Sequence, residues 1–229
     1  MSDGPIRRLF LVRHGRVDFD ARDRFRQSPR GLQWDPPLGK EGRKQAEDLA
    51  ARLLAMRRPA AVYVSPFTRC LETVRPFADA AGIDPILEED VGEVFIGEWE
   101  GVPFEDILAA SEEVARRARE FEAMFGVAPG AESAAELRAR VVPAIDRMLE
   151  AHSDGDVVVV AHGGVVNAYA GHVLGIDHDM FFMPENTSIT TFDLGGGGPR
   201  VRFLNDVLHL FQPGLFVPPA GASSSDDPD

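Results

Sequence analysis

The chain of 229 residues is 44% hydrophobic and 27% charged, which predicts one soluble globular domain of ordinary size. Its net charge of −13 argues against nucleic acid or an anionic membrane as a partner, and no apolar run approaches the roughly 20 residues of a membrane span. The single cysteine, Cys70, excludes an internal disulfide framework and makes the cytoplasm the default location.

Short apolar runs alternate with helical patterns in the first half of the chain. Apolar residues at helical spacing, such as Leu49 and Leu53, mark the helices. In chain order we predict a strand over 9–12, an irregular stretch over 16–39, a helix over 40–56, a strand over 61–65, a helix from Pro66 to Gly82, strand-like pieces near Ile86 and Val94, and one or two helices over 102–125.

The second half begins with a clear helix start. Ser133 and Glu136 have the spacing of a capping box, and Pro143 is expected to kink or end the helix that follows. The remaining predicted elements are an all-apolar strand over 157–161, a helix after Gly163-Gly164, and strands over 189–194 and 201–204 separated by a glycine turn.

This alternation predicts a three-layer α/β/α fold, with a mostly parallel sheet and helices on both faces. The domain is expected to occupy residues 1–211, with a small helical insertion at about 102–130. Residues 212–229 are rich in proline and aspartate and are predicted to form a disordered tail. In parallel sheets ligands bind beyond the carboxyl ends of the strands, so the residues at those ends are the candidates for a site.

Two predicted strands end in a histidine followed by glycine: Arg13-His14-Gly15 and His162-Gly163-Gly164. A single histidine at a strand end is usually structural, but two with the same local form beside an arginine indicate a shared role. The glycines let the backbone approach a ligand closely, and amides at a helix N-terminus favour an anion.

The arrangement resembles the histidine phosphatase (phosphoglycerate mutase-like) superfamily, whose signature is Arg13-His14-Gly15 after an apolar strand. Further matching pieces follow in family order over roughly residues 6–210: Pro37-Leu38 with Gly42 and Gln45-Ala46, Ser65-Pro66 with Arg69, Glu93 ahead of Gly97-Glu98-Trp99-Glu100-Gly101, His162-Gly163-Gly164, and Asn186-Thr187-Ser188. Arg-His-Gly alone would be weak evidence, whereas the ordered set is strong.

The resemblance implies a phosphoglycerate mutase-like fold and a phosphohistidine intermediate on His14. Arg13, Arg69 and His162 would hold the phosphoryl oxygens, and Glu93 would be the general acid. Phosphoryl transfer needs mainly positioning and charge neutralisation, so we expect no metal and no cofactor. His172 and His178 are interpreted as ordinary helix and loop residues.

The segment after the nucleophile departs from the family pattern. Asp20 stands where many members carry an asparagine that holds phosphate, and Arg16-Val17 replaces a frequent Glu-Thr or Glu-Ser. We predict that Asp20, Arg16 and Gly163 contact the substrate. An extra carboxylate would repel phosphate unless it pairs with a nearby arginine. Arginines cluster here, which suggests either a pocket for a small anion or a solvated surface balanced by aspartates.

Other catalytic classes fit the sequence poorly. A cysteine phosphatase needs five residues between its cysteine and arginine, whereas Arg75 follows Cys70 after four. Cys70 is therefore interpreted as a small packed residue. The Gly-x-x-x-x-Gly-Lys motif of a P-loop is absent from the sequence.

The predicted function is hydrolysis of small phosphate monoesters by a metal-independent phosphatase, with a small phosphorylated molecule as the partner. The alternative within the family is a mutase, for which Arg116 and Arg117 could bind a substrate carboxylate. A third possibility is an inactive phospho-ligand binding module on the same fold. The sequence leaves open the substrate's identity and whether the chain forms a homo-oligomer.

Overall fold

The first strand, β1 (Arg7–Arg13), is buried on both faces in the computed structural model, which describes residues 6–216. Leu9 and Leu11 enter one hydrophobic cluster, and Phe10 and Val12 enter the other. Successive side chains of a strand point to opposite faces, so this all-apolar run requires cover on both sides.

The remaining elements follow the predicted alternation. In chain order they are β2 (Phe25–Ser28), β3 (Gly31–Trp34), α1 (Lys40–Leu54), β4 (Ala61–Val64), α2 (Thr68–Ala81), β5 (Ile86–Leu87), α3 (Phe104–Ala110), α4 (Glu112–Arg119), α5 (Ala134–Ala151), β6 (Val157–Ala161), α6 (Gly163–Leu174), β7 (Ile189–Gly195), β8 (Gly198–Asp206) and α7 (Leu208–Phe211).

Six strands form one sheet in the order β5-β4-β6-β1-β7-β8. The pairings from β5 to β1 are parallel, and those of β7 with β1 and β8 with β7 are antiparallel. Leu49 of α1 and Phe77 of α2 pack on one face, while Ile145 of α5 and Val166 of α6 pack on the other. The predicted three-layer α/β/α fold is confirmed, with a sheet that is antiparallel at one edge.

Helix α5 begins at the predicted capping box, since Ser133 accepts from the Glu136 amide and the Glu136 carboxylate accepts from the Ser133 amide. The helix continues past Pro143 to Ala151, so the alternative that Pro143 ends it is wrong. The neighbouring Ala144 and Ile145 are fully buried. Their packing against the sheet offsets the backbone hydrogen bond that proline cannot donate.

The stretch 16–39 is not irregular throughout, because β2 and β3 form a separate antiparallel hairpin. The prediction missed it because each strand has only four residues and Phe25–Ser28 mixes charged with apolar side chains. A second correction concerns Val94, which lies outside any strand. It is buried in a segment that is held by side chains of other elements.

Two short helices, α3 and α4, lie within the predicted insertion, and Ser111 caps α4 by accepting from the Val114 amide. The chain continues past 212 as a short 3₁₀ turn, Pro213–Phe216. The guanidinium of Arg52 lies 4.3 Å from the centre of the Phe216 ring. The amino-acid composition of this segment does not predict such a contact. The rest of the predicted tail lies outside the described residues.

None of the described helices is long and apolar enough to cross a membrane.

Candidate active site

The two strand-end histidines meet because β1 and β6 are parallel neighbours in register. Arg13 pairs with Ala161, so the next residue of each strand is a histidine. The rings of His14 and His162 are 5.3 Å apart between centroids and inclined by 62°. The register of two buried strands thus places both imidazoles at the same end of the sheet.

One ring nitrogen of His14 is tied to the backbone. Nδ1 lies 2.8 Å from the carbonyl oxygen of Gly15. A carbonyl can only accept, so Nδ1 carries the proton and Nε2 keeps its lone pair. Burial, followed by the charges of Arg69 and Arg13, lowers the pKa of His14 well below its ordinary value. The ring is therefore neutral near pH 7 and offers an unprotonated nitrogen.

Glycine is needed after this histidine for steric reasons. A side chain at position 15 would place its Cβ 2.8 Å from the carbonyl oxygen of Gly42, at the start of α1. The Gly15 amide also donates to the Thr73 hydroxyl of α2 at 2.9 Å. The turn after β1 therefore packs directly against the first turn of one helix and the side of another.

The backbone of His14 is also held from the other side. The amides of Asn186 (side chain) and Thr187 (main chain) both donate to the His14 carbonyl, at 3.0 and 3.2 Å. Thr187 has φ of 58°, which is unfavourable for a β-branched residue. Its hydroxyl lies 3.2 Å from Nε2 of the buried His209. The Asn-Thr pair of the sequence motif thus acts on the backbone of His14.

Arg69 lies at the start of α2 and is buried. Its Nη1 donates to the carbonyl of Trp34 at 3.1 Å and lies 3.5 Å from Oδ1 of Asp35. The Asp35 carboxylate also accepts from the amide and hydroxyl of Thr68. Asp35 thereby fixes both the first residue of α2 and the arginine beside it. Nothing in the sequence singles out Asp35, since an aspartate before two prolines has the pattern of an ordinary loop residue.

His162 is fully buried behind His14. Its Nε2 lies 2.7 Å from the Ser65 hydroxyl, and its Nδ1 lies 3.6 Å from Oε2 of Glu93. Burial first, then the charges of Arg69 and His14, lowers the pKa of His162 well below its ordinary value. Ser65 follows β4, so a third parallel strand end contributes to the cluster.

Cys70 lies against His162, with its sulfur 3.5 Å from Nε2. The thiol is buried, and burial raises its pKa far above the ordinary value. A protonated, enclosed thiol is a poor nucleophile. This agrees with the interpretation of Cys70 as a packed residue.

Arg13 is directed toward the N-terminus of α6. Its Nη1 donates to the Pro184 carbonyl. Its Nε is buried and has no hydrogen-bond partner within residues 6–216. A Cβ built on Gly163 would lie 3.6 Å from that Nε. An unpaired guanidinium N–H beside the first amides of a helix is an arrangement that binds an anion.

Glu93 is held mainly through its backbone and lies next to the cluster. Its carbonyl accepts from Arg140 at 3.0 Å, and its Oε1 accepts from the Val94 amide at 3.0 Å. Gln33 of the hairpin donates to the same carbonyl at 3.3 Å. Both the hairpin and α5 therefore position this carboxylate, and Gln33 is a second residue that the sequence analysis did not single out.

A cavity of about 310 Å³ opens onto this cluster. Five predicted residues line it: Arg13, His14, Arg69, Glu93 and Gly163. Its outer wall is mainly apolar and comes from residues that the sequence analysis did not name for this role, including Phe19, Trp34, Phe125, Met180 and Met183.

Asp20 and Arg16, predicted to contact substrate, do not line this cavity. The Arg16 guanidinium lies 3.3 Å from the carboxylate of Glu41, and Asp20 is exposed. Val17 forms an antiparallel bridge with Leu38, which fixes the chain so that Val17 and Phe19 border the cavity instead. Matching sequence motifs could not predict which of these side chains border the cavity, because motifs align residue positions and do not give the path of the loop.

The same three groups, His14, Glu93 and His162, offer donor atoms that all lie within 4.8 Å of one another. Two neutral imidazoles and one carboxylate are ligands that suit a transition metal ion. The guanidinium groups of Arg13 and Arg69 stand beside them and oppose a cation. The donor set could therefore hold a metal, although its electrostatic surroundings favour an anion.

Comparisons with known proteins agree with this geometry. The family model of the histidine phosphatase superfamily (branch 1) matches residues 9–207. A glucosyl-3-phosphoglycerate phosphatase from Mycolicibacterium vanbaalenii is 32% identical over 182 residues, 76% of this chain and 77% of that one. Phosphoserine phosphatase 1 from Hydrogenobacter thermophilus is 30% identical over 205 residues, 89% and 94% of the two chains.

The solved structure of a mycobacterial glucosyl-3-phosphoglycerate phosphatase in complex with VO3 superposes with a TM-score of 0.72 at 26% identity. The match covers 87% of this chain and 99% of that one. Chains that carry the name phosphoglycerate mutase are also similar to this chain in sequence and in fold.

Proposed function

The chain belongs to the histidine phosphatase superfamily, and on that premise we propose that it hydrolyses small phosphate monoesters through a phosphohistidine on His14. The observation that carries the proposal is the neutral imidazole of His14, whose proton is held on Nδ1 by the Gly15 carbonyl. Its Nε2 is a nucleophile enclosed by two arginines that neutralise phosphoryl charge.

In the first step, Nε2 of His14 attacks phosphorus and the bond to the ester oxygen breaks. The electron pair of that bond goes to the leaving oxygen, which takes a proton from the carboxyl of Glu93. In the second step, water attacks the phosphohistidine and gives a proton to Glu93. The P–N bond breaks, its electron pair returns to Nε2, and inorganic phosphate leaves.

The charge on the transferring group is met from three sides. Arg69 is held by Asp35 and the Trp34 carbonyl, and Arg13 presents its unpaired Nε beside Gly163. We assign the third contact to Nδ1–H of His162, with Nε2 accepting from the Ser65 hydroxyl. These donors are fixed before substrate arrives, which is the main requirement of electrostatic catalysis.

A mutase is the second candidate, and the insertion bears on it. The paired arginines that could have bound a substrate carboxylate, Arg116 and Arg117, are engaged by Glu113, Glu120 and Glu122. Neither arginine lines the cavity beside His14. This supports a phosphatase over a mutase. An inactive binding module is disfavoured because every proposed catalytic group is present.

We further infer a cytoplasmic location and no nucleic-acid or membrane partner. The buried free Cys70 and the net charge of −13 support these inferences. The partner is a small phosphorylated substrate, and association with a second copy of the chain remains a prediction to be tested by measuring the mass in solution.

The test is phosphate release from a panel of monoesters by the wild type and by His14→Ala. We expect turnover only in the wild type, with an acid-labile, alkali-stable phosphoryl group trapped on His14. Isomerisation of a phosphoglycerate without release of phosphate would favour the mutase. Undiminished phosphate release by His14→Ala would refute the proposal.

A further inference from the structure

A second cavity of about 410 Å³ adjoins the one beside His14. Phe19, Trp34, Ile96 and Glu100 line both cavities, so the two adjoin along this shared wall. Sites that hold a whole small ligand span about 300–1,000 Å³, so each cavity alone reaches the lower end of that range. A phosphoryl group needs only a small part of this space.

The wall of the second cavity collects large apolar side chains that are left exposed. Phe19 is 57% exposed, Val102 41% and Phe104 54%. Trp99 and Pro103 line the same space. Scattered exposed apolar residues need no explanation, but several that converge on one concavity indicate a binding surface.

This wall is built before any ligand binds. The Trp34 indole N–H donates to the Ala21 carbonyl at 3.1 Å, and the Trp34 amide donates to the Glu100 carboxylate at 2.9 Å. The same carboxylate accepts from the Ile96 amide at 3.2 Å. The hairpin and the segment around Glu100 are thus locked together, and a ligand would lose little entropy in ordering them.

The position of Glu93 indicates how a substrate's leaving group is oriented in the cavity, and this step rests on the proposed function. Glu93 is the proposed acid, so the leaving oxygen of a substrate must face it. The chain that follows Glu93 runs through Ile96 and Glu100 into the second cavity. The leaving group therefore points from the phosphoryl site toward this space.

The charged residues that line the second cavity limit the kind of ligand it can bind. Glu100 and Glu105 are acidic, and Arg22 is the one basic residue lining the cavity. The two carboxyl groups oppose a second anionic group, while the aromatic rings favour a flat apolar one. We propose that the second cavity receives the leaving group, and that preferred substrates are phosphate monoesters of alcohols with an apolar, aromatic body.

The test compares phenethyl phosphate with ethyl phosphate. Their leaving alcohols have similar acidity, so the ratio of the two kcat/KM values measures the contribution of the phenyl group. We expect the wild type to prefer phenethyl phosphate by about tenfold or more, since even one methylene group in an apolar pocket contributes about 10–200-fold. Phe104→Ala, which alters an exposed side chain of α3, should remove most of that preference by lowering kcat/KM for phenethyl phosphate. Val102→Ser is a second variant with the same expectation.

The matched control is Phe211→Ala, since Phe211 is 79% exposed and lines neither cavity. Equal kcat/KM for the two esters in the wild type, or an unchanged ratio in both Phe104→Ala and Val102→Ser, would overturn the inference while phosphatase activity stands. Failure of the pure, folded protein to release phosphate from any ester would instead refute the proposed function, and this inference with it.

Discussion

His14 and His162 occupy equivalent positions at the ends of two paired strands, and each has one ring nitrogen tied to an oxygen partner. The Gly15 carbonyl holds Nδ1 of His14, and the Ser65 hydroxyl holds Nε2 of His162. The two rings therefore present opposite nitrogens, Nε2 of His14 and Nδ1 of His162, to the space between them and Glu93.

Ser65→Ala should lower kcat about tenfold and change KM little, because His162 loses the partner that fixes its tautomer. Ser65 acts as a positioning residue, so Ser65→Thr should restore most of the activity and the wild-type pH profile of kcat. The matched control is Ser188→Ala, since the buried Ser188 hydroxyl has no hydrogen-bond partner among the described residues. Equal losses in Ser65→Ala and Ser188→Ala would contradict this role.

Glu93→Gln should slow ethyl phosphate by about 10²–10⁴, the usual contribution of a general acid, and slow nitrophenyl phosphate much less. The nitrophenolate leaves without a proton, so it does not need the carboxyl group. Glu98→Gln, an exposed neighbour on the same segment, serves as the control. Equal slowing of both esters by Glu93→Gln would count against the acid role. Initial rates of phosphate release provide the measurement.

Acid should destabilise the fold through His209. Burial lowers the pKa of His209 from 6.5 to about 4, so the unfolded state binds its proton first. Its contribution to stability is present above pH 6.5 and is lost as pH falls toward 4, by up to about 3 kcal/mol. Urea unfolding at several pH values gives the free energy of unfolding as a function of pH. Between pH 6.5 and 4 this free energy should fall less steeply for His209→Gln than for the wild type. An identical slope would show that His209 is not responsible.

Added Zn²⁺ should inhibit, while a chelator should leave the activity of the pure protein unchanged. The ion would bind Nε2 of His14, a Glu93 oxygen and Nδ1 of His162, and the proton on Nδ1 of His162 would move to Nε2, which then donates to the Ser65 hydroxyl. Donor atoms of the three side chains lie within 4.8 Å of one another. Mg²⁺ should not inhibit, because it prefers oxygen ligands. Titration against a chromogenic chelator should give one site per chain, lost in His14→Ala and kept in His178→Ala. Equal Zn²⁺ binding by His14→Ala and the wild type would exclude this site.

The parts of the molecule that follow strong periodic patterns could be predicted from the sequence. The buried strands around Leu11 and Val159 and the helix with Leu49 and Leu53 have unambiguous apolar spacing. The parallel sheet then requires the residues after the strands to lie at one edge, which places His14 and His162 together.

What the sequence did not predict depends on loop direction and on long-range contacts. Asp35 binds Arg69 and the start of α2, but nothing local distinguishes it from a turn residue. The hairpin strands are too short for a clear alternation. Phe19 borders the cavity in place of Asp20 because a single bridge between Val17 and Leu38 sets the course of the chain.

The site gathers its groups from positions 13, 14, 69, 93 and 162, so it exists only when the strands around β1 have all assembled. A fragment that lacks any one of these strands would not retain the full set. Recovery of turnover during refolding should therefore lag behind the return of helical circular dichroism and coincide with the last long-range step. The rate of substrate turnover would then report when the native topology is complete.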